Sequence, residues 1–468
     1  MTVRSLSLTD AALAYGGTLM YPDCDFDTVS TDTRALRQGE LFVALSGERF
    51  DAHQFLDSAS QQACGLVVEQ ANKGLHIPQW VVPNTTQALG QLAALARDQF
   101  SGPVIAVTGS SGKTTVKEMI AAILTIKGPV LATRGNFNNH IGVPLTLLGV
   151  QPEHQSAVIE MGASAGGEIA YLCGIVRPTV AMVTNVLPAH VEGFGSLAGV
   201  AAAKGEIYSS LQAGGTAVLN LDEPWLEQWR GQLSCLNSVT FSVLEPDADF
   251  VATEVQLDNE GCPGFTLQTP VGSAAVQLQM PGRHNVANAI AAAACALSAG
   301  ANLEQVVSGL QAALPASGRM QVLSGMGGSR IIDDSYNANP GSVKAAIDTL
   351  TSFSGKRILV LGDMAELGAD TELLHREVGR YAAEHDVDFL FSCGPLSALA
   401  SAEFEFICGA DKVYSFDDKP ALAKVLCGIL SEEGAALAGD RSLEVTVLVK
   451  GSRSAGMEDV ITHLLGEG

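Results

Sequence analysis

The run Thr108-Gly109-Ser110-Ser111-Gly112-Lys113-Thr114-Thr115 has the residue types of a loop that holds phosphate. Gly109 and Gly112 let the backbone curl so that successive N–H groups face one point, where a following helix adds the partial positive charge of its N-terminus. Lys113 supplies a full charge for the outer phosphate oxygens, and the Thr114 hydroxyl can ligate Mg²⁺. The match to G-x-x-x-x-G-K-[ST] is inexact, because Val107 stands five residues before Gly112. The bland alternative is a glycine turn leading into an amphipathic helix. The strand-like VIAV before the loop and the helical run over 116–126 after it favour phosphate binding. Glu160 follows the strand-like AVIE and His190 follows VAMVTN, so both fall near the same loop. Thr114, Glu160 and His190 form an O/N donor set suited to Mg²⁺, against the ordinary readings of a strand-end carboxylate and a solvated histidine.

The elements that must position these groups are legible as texture. VIAVTG, AVIEMG, VAMVTN and TAVLNL are nearly continuous apolar runs, the pattern of strands buried on both faces of a parallel sheet. Ligands bind beyond the carboxyl ends of such strands, where the loop and Glu160 lie. Residues 1–101 form a first unit, with apolar runs at 41–45 and 65–69 and a helical pattern over 86–99. The Ser101-Gly102-Pro103 break ends it. Residues 102–314 form a central unit that also contains a β-rich patch over 250–280, read as a small antiparallel annex, and an alanine-rich helix over 284–300. A second break at 315–318 opens the third unit, 315–468, with strands RIIDDS, RILVLGD, DFLFSC and EVTVLVKG. The expected fold is α/β in three domains: a first domain, a P-loop-type, mainly parallel central sheet with helices on both faces and a β annex, and a C-terminal Rossmann-like α/β domain.

The composition bounds the function. With 47% hydrophobic and 16% charged residues over 468 positions, the chain is a globular α/β protein of several domains. A formal charge of −23 argues against nucleic acid or an anionic membrane as the partner. Phosphate must therefore be held by local N–H groups, lysine and metal. The nine scattered cysteines contain no C-x-x-C pair, so reduced thiols are expected rather than a disulfide framework or zinc site. The N-terminal residues lack a signal-peptide run and no apolar stretch is long enough to span a membrane, so a cytoplasmic location is expected.

Several motifs give the reading its specificity. In order they are Gly135-Asn136-Phe137-Asn138-Asn139-His140, Glu160-Met161-Gly162-Ala163, Thr184-Asn185-Val186 with His190, and Ala203-Lys204-Gly205-Glu206. Then follow Pro281-Gly282-Arg283-His284-Asn285, Ser335-Tyr336-Asn337-Ala338-Asn339-Pro340 and Leu361-Gly362-Asp363-Met364-Ala365-Glu366-Leu367-Gly368. Together with the phosphate loop, they resemble the Mur ligases over nearly the whole chain, and most closely the branch that adds D-alanyl-D-alanine. The resemblance implies that ATP phosphorylates the C-terminal carboxylate of UDP-MurNAc-tripeptide. The amine of D-Ala-D-Ala then attacks the acyl phosphate, giving UDP-MurNAc-pentapeptide, ADP and phosphate for peptidoglycan synthesis. Both steps concentrate negative charge, so the site needs fixed cations and dipoles.

Roles follow from the resemblance residue by residue. Thr108 to Thr115, Asn139, Asn285, Arg319, Asp334 and Asn337 would bind ATP, and Lys113, Lys204 and His190 would be catalytic. Thr114, Glu160, His190 and a carbamylated Lys204 would hold two Mg²⁺. On residues alone, Lys204 is a solvated helix lysine, Asn285 an N-cap of the alanine-rich helix, and Asn136, Asn138 and Asn139 either turn chemistry or a polar ligand wall. The resemblance sets Ser30, Asp32, Thr33, Arg34, Gly47, Arg49, Asn136 and Asn138 at the UDP precursor. Without it, Asp32–Arg34 reads as a turn with a surface ion pair. Asn339, Lys450, Ser452 and Arg453 are candidate contacts to the acceptor. Where the diamino-acid-adding relative carries Asp-Asn-Pro-Arg, this chain has Asn337-Ala338-Asn339-Pro340-Gly341, which argues against a free diamino acid as acceptor. A monomer is the expected state. Two alternatives stay open: another Mur or folylpolyglutamate-type amide ligase, and a nucleotide-dependent UDP-sugar sensor that does not ligate.

Overall fold

The computed structural model describes residues 5–47, 50–188, 191–212, 214–233, 237–436 and 444–466. Arg49 and His190 therefore lie outside the described residues. Three larger sheets organise the chain. The first has five strands in the order Thr18–Met20, Gln79–Val81, Gly65–Val68, Leu41–Val43 and Val29–Ser30, parallel except for the first pair. The helix Thr85–Asp98 follows it, started by Asn84, whose side chain accepts from the Gln87 N–H.

The central sheet has nine strands. Its order is Val130–Ala132, Ser156–Glu160, Val104–Thr108, Val180–Val183, Thr216–Asn220, Asn237–Ser242, Phe250–Leu257, Pro263–Thr269 and Gly272–Gln277. The first seven run parallel. The last three form the antiparallel patch expected from sequence, but they are not an annex set apart. Phe241 pairs with Phe250 and Ser242 with Val251, so the patch extends the same sheet. A local pattern says which residues form strands, whereas the neighbour they join is a non-local choice.

Both faces of this sheet are covered, which explains the unbroken apolar runs. On one face Val107, Val158 and Met182 pack with Val116, Ile120 and Ile123 of the helix Lys113–Thr125 and with the alanines of the helix His284–Ser298. On the other, Ala106, Ile159 and Val183 pack with Leu172 and Val176, and the same cluster takes in Leu89 and Leu92 of the N-terminal unit. The third sheet has six strands in the order Gln321–Ser324, Arg330–Asp334, Val445–Lys450, Lys356–Gly362, Phe389–Cys393 and Val413–Phe416, parallel except for the first pair. It too has an apolar cluster on each face. No helix among the described residues is long and apolar enough to cross a membrane.

Candidate functional site

The strand Val104–Thr108 delivers the chain into the phosphate loop, and the helix Lys113–Thr125 leaves it. Gly109 sits at φ +148, and a Cβ there would lie 1.8 Å from Thr184 Oγ1. Only glycine tolerates both the conformation and the approach. Gly112 is left-handed at the helix N-terminus. The segment after the strand Val180–Val183 grips the loop from outside. Ser110 N–H donates to Asn185 O (2.9 Å), Ser111 N–H to Asn185 Oδ1 (2.9 Å), and Thr184 Oγ1 to Ser111 O (2.6 Å).

These groups open on a cavity of about 1000 Å³ whose wall includes Lys113, Glu160, Lys204, Asn285, Arg319 and Asp334. Thus the central and C-terminal units share one site. Lys113 Nζ donates to Gly109 O at 2.7 Å. Burial pushes its pKa down; Glu160 opposes that shift and Arg319 adds to it. Glu160 is 1% exposed and receives Thr114 Oγ1 on one oxygen and Asn138 Nδ2 on the other, both at 2.8 Å. Asn139 caps its own turn, its Oδ1 accepting from Ile141 and Gly142 N–H. Asn136, Asn138 and Asn139 all line the cavity, so turn chemistry and a polar ligand wall coexist.

Lys204, in the helix Leu197–Ser209, is not a solvated face residue. It is 3% exposed, lies 5.9 Å from the Phe194 ring centroid and lines the cavity. Burial, then Lys113, push its pKa well below the ordinary lysine value. Asn285 is not the N-cap of the alanine-rich helix. Arg283 occupies the cap position and makes no side-chain cap bond there. Asn285 lies inside the first turn, where its Nδ2 donates to Pro281 O and its Oδ1 accepts from Asn288 Nδ2, each at 2.8 Å.

The C-terminal unit meets the loop directly: Asn339 Nδ2 donates to Ser111 Oγ at 3.0 Å, while Asn339 Oδ1 caps the helix Pro340–Leu350 through Ser342 N–H. Each end of this amide thus has a partner, one across the units and one in the helix cap, and Asn339 also lines the cavity. Ser111→Ala removes the cross-unit acceptor while leaving the cap intact. A single hydrogen bond of about 1 kcal/mol predicts a loss of closed form, and a rise in the KM for ATP, of roughly fivefold. Steady-state kinetics over an ATP series checks it.

Lys450 is likewise paired. Its Nζ lies 2.5 Å from Asp334 Oδ2 and 2.9 Å from Asn337 O, with side-chain exposures of 3% for the lysine and 14% for the aspartate. Asn337 also lines the cavity, and its Oδ1 accepts from the Ala338 N–H. Ser452 is buried with its hydroxyl 3.1 Å from Ser454 Oγ. Arg453 lines the cavity, pairs with Glu458 at 2.8 Å and lies 5.6 Å from the Tyr336 ring centroid, while Arg319 lies 4.3 Å from the same ring.

The first unit is brought less completely to this site. Arg34 forks onto Asp32 (Nη2 to Oδ2, 2.7 Å) and holds that carboxyl down to about 2, as a surface ion pair with the arginine 88% exposed. Ser30 Oγ donates to Asp32 O, and Gly47 sits in the short hairpin with Phe50. Ser30, Asp32, Thr33, Arg34 and Gly47 are not in the cavity wall.

Two residues outside every motif hold the site in shape. Asn220 Nδ2 donates to Thr184 O (3.0 Å), and Glu223 Oε1 accepts from Val186 N–H (3.2 Å), so the turn after the strand Thr216–Asn220 holds the segment that grips the loop. Asn-Leu-Asp-Glu after an apolar run is their only signal in the sequence. Burial pushes the Glu223 carboxyl up to about 7. A raised carboxyl keeps its proton in the fold after the unfolded chain has released its own. That proton's stabilising contribution is complete at low pH and is lost as pH rises from about 4.5 towards about 7. Glu223→Gln, which keeps the acceptor, should lose that slope: the melting temperature of the variant relative to the parent rises between about pH 5 and about pH 8.

Comparison with known proteins agrees with this geometry. The Mur ligase middle domain matches residues 107–296, and the Mur ligase glutamate ligase domain matches 318–453. The chain is 45% identical over 466 residues to UDP-N-acetylmuramoyl-tripeptide--D-alanyl-D-alanine ligase of Escherichia coli (strain K12), covering 99% of both. It is similar to the crystal structure of MurF from Acinetobacter baumannii, with a TM-score of 0.90, 36% identity and 100% of both chains covered. It also resembles MurF ligase from Thermotoga maritima in complex with ADP, with a TM-score of 0.81, 28% identity and coverage of 94% of this chain and 97% of that one. A phosphate loop, a buried carboxylate and a buried lysine converging under a C-terminal unit thus occur in a chain that matches proteins of one kind over its full length, and the chain belongs to the Mur ligases.

Proposed function

We infer that this chain is the ATP-dependent ligase that joins the C-terminal carboxylate of UDP-MurNAc-tripeptide to the amine of D-Ala-D-Ala, releasing ADP and phosphate, in peptidoglycan precursor synthesis. The observation that carries the chemistry is that Lys113, Glu160 and Lys204 of the central unit line one cavity together with Arg319 and Asp334 of the C-terminal unit. The fixed cations of that wall offset the charge that builds on the phosphoryl group and on the tetrahedral intermediate. Closure of the C-terminal unit over the loop keeps water from the acyl phosphate. The amine of the dipeptide attacks the acyl carbon, the C–O bond to phosphate breaks, and the amine proton leaves to solvent or a nearby base.

Mg²⁺ fits the hard oxygen donors of Thr114 and Glu160, which already touch, with His190 as a third ligand implied by the family resemblance. When bound it would supply positive charge that offsets the charge of the phosphates. Burial favours a neutral Lys204 amine, the form that adds CO₂ to give a carbamate and release a proton, which would turn this position into a second anionic ligand. On this reading Asn285 and Asn337 contact ATP, Asp32 and Arg34 meet the uridine diphosphate, and Arg453 meets the acceptor carboxylate. The protein acts in the cytoplasm, where ATP and the soluble precursor are available.

The test is mass-spectrometric identification of the product from UDP-MurNAc-tripeptide, ATP and D-Ala-D-Ala, together with phosphate release against single amino acids. The pentapeptide product is expected. Turnover only with a free amino acid, or ATP cleavage without a new amide, would overturn the reading in favour of another ligase or a sensor.

A further inference from the structure

Tyr336 joins three stretches of the C-terminal unit that are far apart in sequence. Its N–H donates to Gly318 O at 3.1 Å, and Gly318 lies at φ +70, where an added Cβ would come within 3.1 Å of the tyrosine Cβ. The next residue, Asn337, is tied through its carbonyl to Lys450. The backbone that carries the ring is thus tied on both sides, and Tyr336 lines the cavity. The Arg319 guanidinium carbon lies 4.3 Å from the ring centroid and that of Arg453 lies 5.6 Å from it.

Two cations drawn to one aromatic ring need an explanation, because they repel each other and, among the described residues, only one of them has an ion-pair partner. Arg453 pairs with Glu458, whereas Arg319 makes no ion pair among the described residues. The aromatic face therefore supplies the attraction that orients Arg319, and among the described residues its N–H groups have no ion-pair partner that would keep them from an anion. Arg319 lines the same cavity as Ser110 to Lys113, while Arg453 opens the short 3-10 helix Arg453–Ala455 that follows the strand Val445–Lys450 and lines that cavity too.

We propose that Tyr336 is a positioning residue for the ligation. Its ring sets the nucleotide-side guanidinium of Arg319 and the acceptor-side guanidinium of Arg453 together, so that the γ-phosphate and the acceptor carboxylate are held by two charges on one support. The acceptor half of this rests on the proposed function; the nucleotide half needs only ATP binding.

The experiment compares Tyr336→Leu and Tyr336→Phe in the full chain. Steady-state kinetics give the KM for ATP, for D-Ala-D-Ala and for the UDP precursor, and calorimetry gives the Kd for ATP without acceptor. Tyr336→Leu is expected to raise the KM for both ATP and D-Ala-D-Ala by about three- to tenfold, as loss of two cation–π contacts implies. The precursor KM should stay unchanged, and Tyr336→Phe should restore both raised values. In an Arg319→Ala background, Tyr336→Leu should no longer weaken ATP. A rise in only one of the two values, an equal rise for the precursor, or failure of phenylalanine to restore them would overturn the proposal. If the parent chain forms no amide with D-Ala-D-Ala, the functional reading fails instead, and the calorimetric ATP arm still decides the role of Tyr336 towards Arg319.

Discussion

Lys113→Ala should lower the rate of ATP-dependent phosphate release by about 10³-fold, because no other ammonium is delivered by the loop to the γ-phosphate. The same substitution should leave the melting temperature unchanged or slightly higher. Burial pushes the Lys113 pKa down, the charge of Glu160 opposes that shift and the charge of Arg319 adds to it. Removing it relieves the burial of a charge and the repulsion from Arg319, at the cost of the attraction to Glu160 and of its bond to Gly109 O, so the effects on stability largely offset. Initial-rate assays and thermal denaturation of the same preparation separate the two effects. Turnover near that of the parent would contradict the assignment of the loop. A large fall in melting temperature would show that the lysine acts mainly as a structural strut.

The second large effect concerns stability. Lys450→Met should destabilise the C-terminal unit by about 3–5 kcal/mol, the range for removing one partner of a buried pair. Asp334 would be left as a mostly buried carboxylate without its cation, and Asn337 O would lose its donor. The companion change Asp334→Asn removes the stranded charge, so the double variant Lys450→Met/Asp334→Asn should recover a substantial part of the loss. Denaturant unfolding of the four proteins in the cycle measures the coupling. Additive losses in the double variant would mean that the pair contributes little, and that Lys450 is retained for a ligand instead.

The contrast between these residues marks what the chain alone reveals. Lys113 and Thr114 are legible because their chemistry is local: a glycine-bent loop, a strand before it and a helix after it all lie within a few residues. The strand cores are legible because both faces of the sheets are covered, which erases the alternation that a half-exposed strand would show. Glu160 is legible as a strand end. The pairing of Lys450 with Asp334 is not, since it spans 116 residues and joins neighbouring parallel strands. Asn285 looks like a helix cap by its type and place, yet the helix has already begun at His284 and the amide bonds back to Pro281. Lys204 has the local signature of a surface lysine, and only the packing around it removes the water.

The sequence by itself determined the glycine-bent loop between strand and helix that carries Lys113, the α/β class, the order of the elements and, through motifs spread over nearly the full length, the kind of ligase. The tertiary structure decided which side chains are spent on one another: Asn339 on Ser111, Lys450 on Asp334, and Tyr336 between Arg319 and Arg453. The reason is physical. Propensity and burial pattern act over a few residues and leave a trace in the chain. Charge pairing, desolvation and stacking depend on distances of a few ångströms between segments that only the packed sheets bring together.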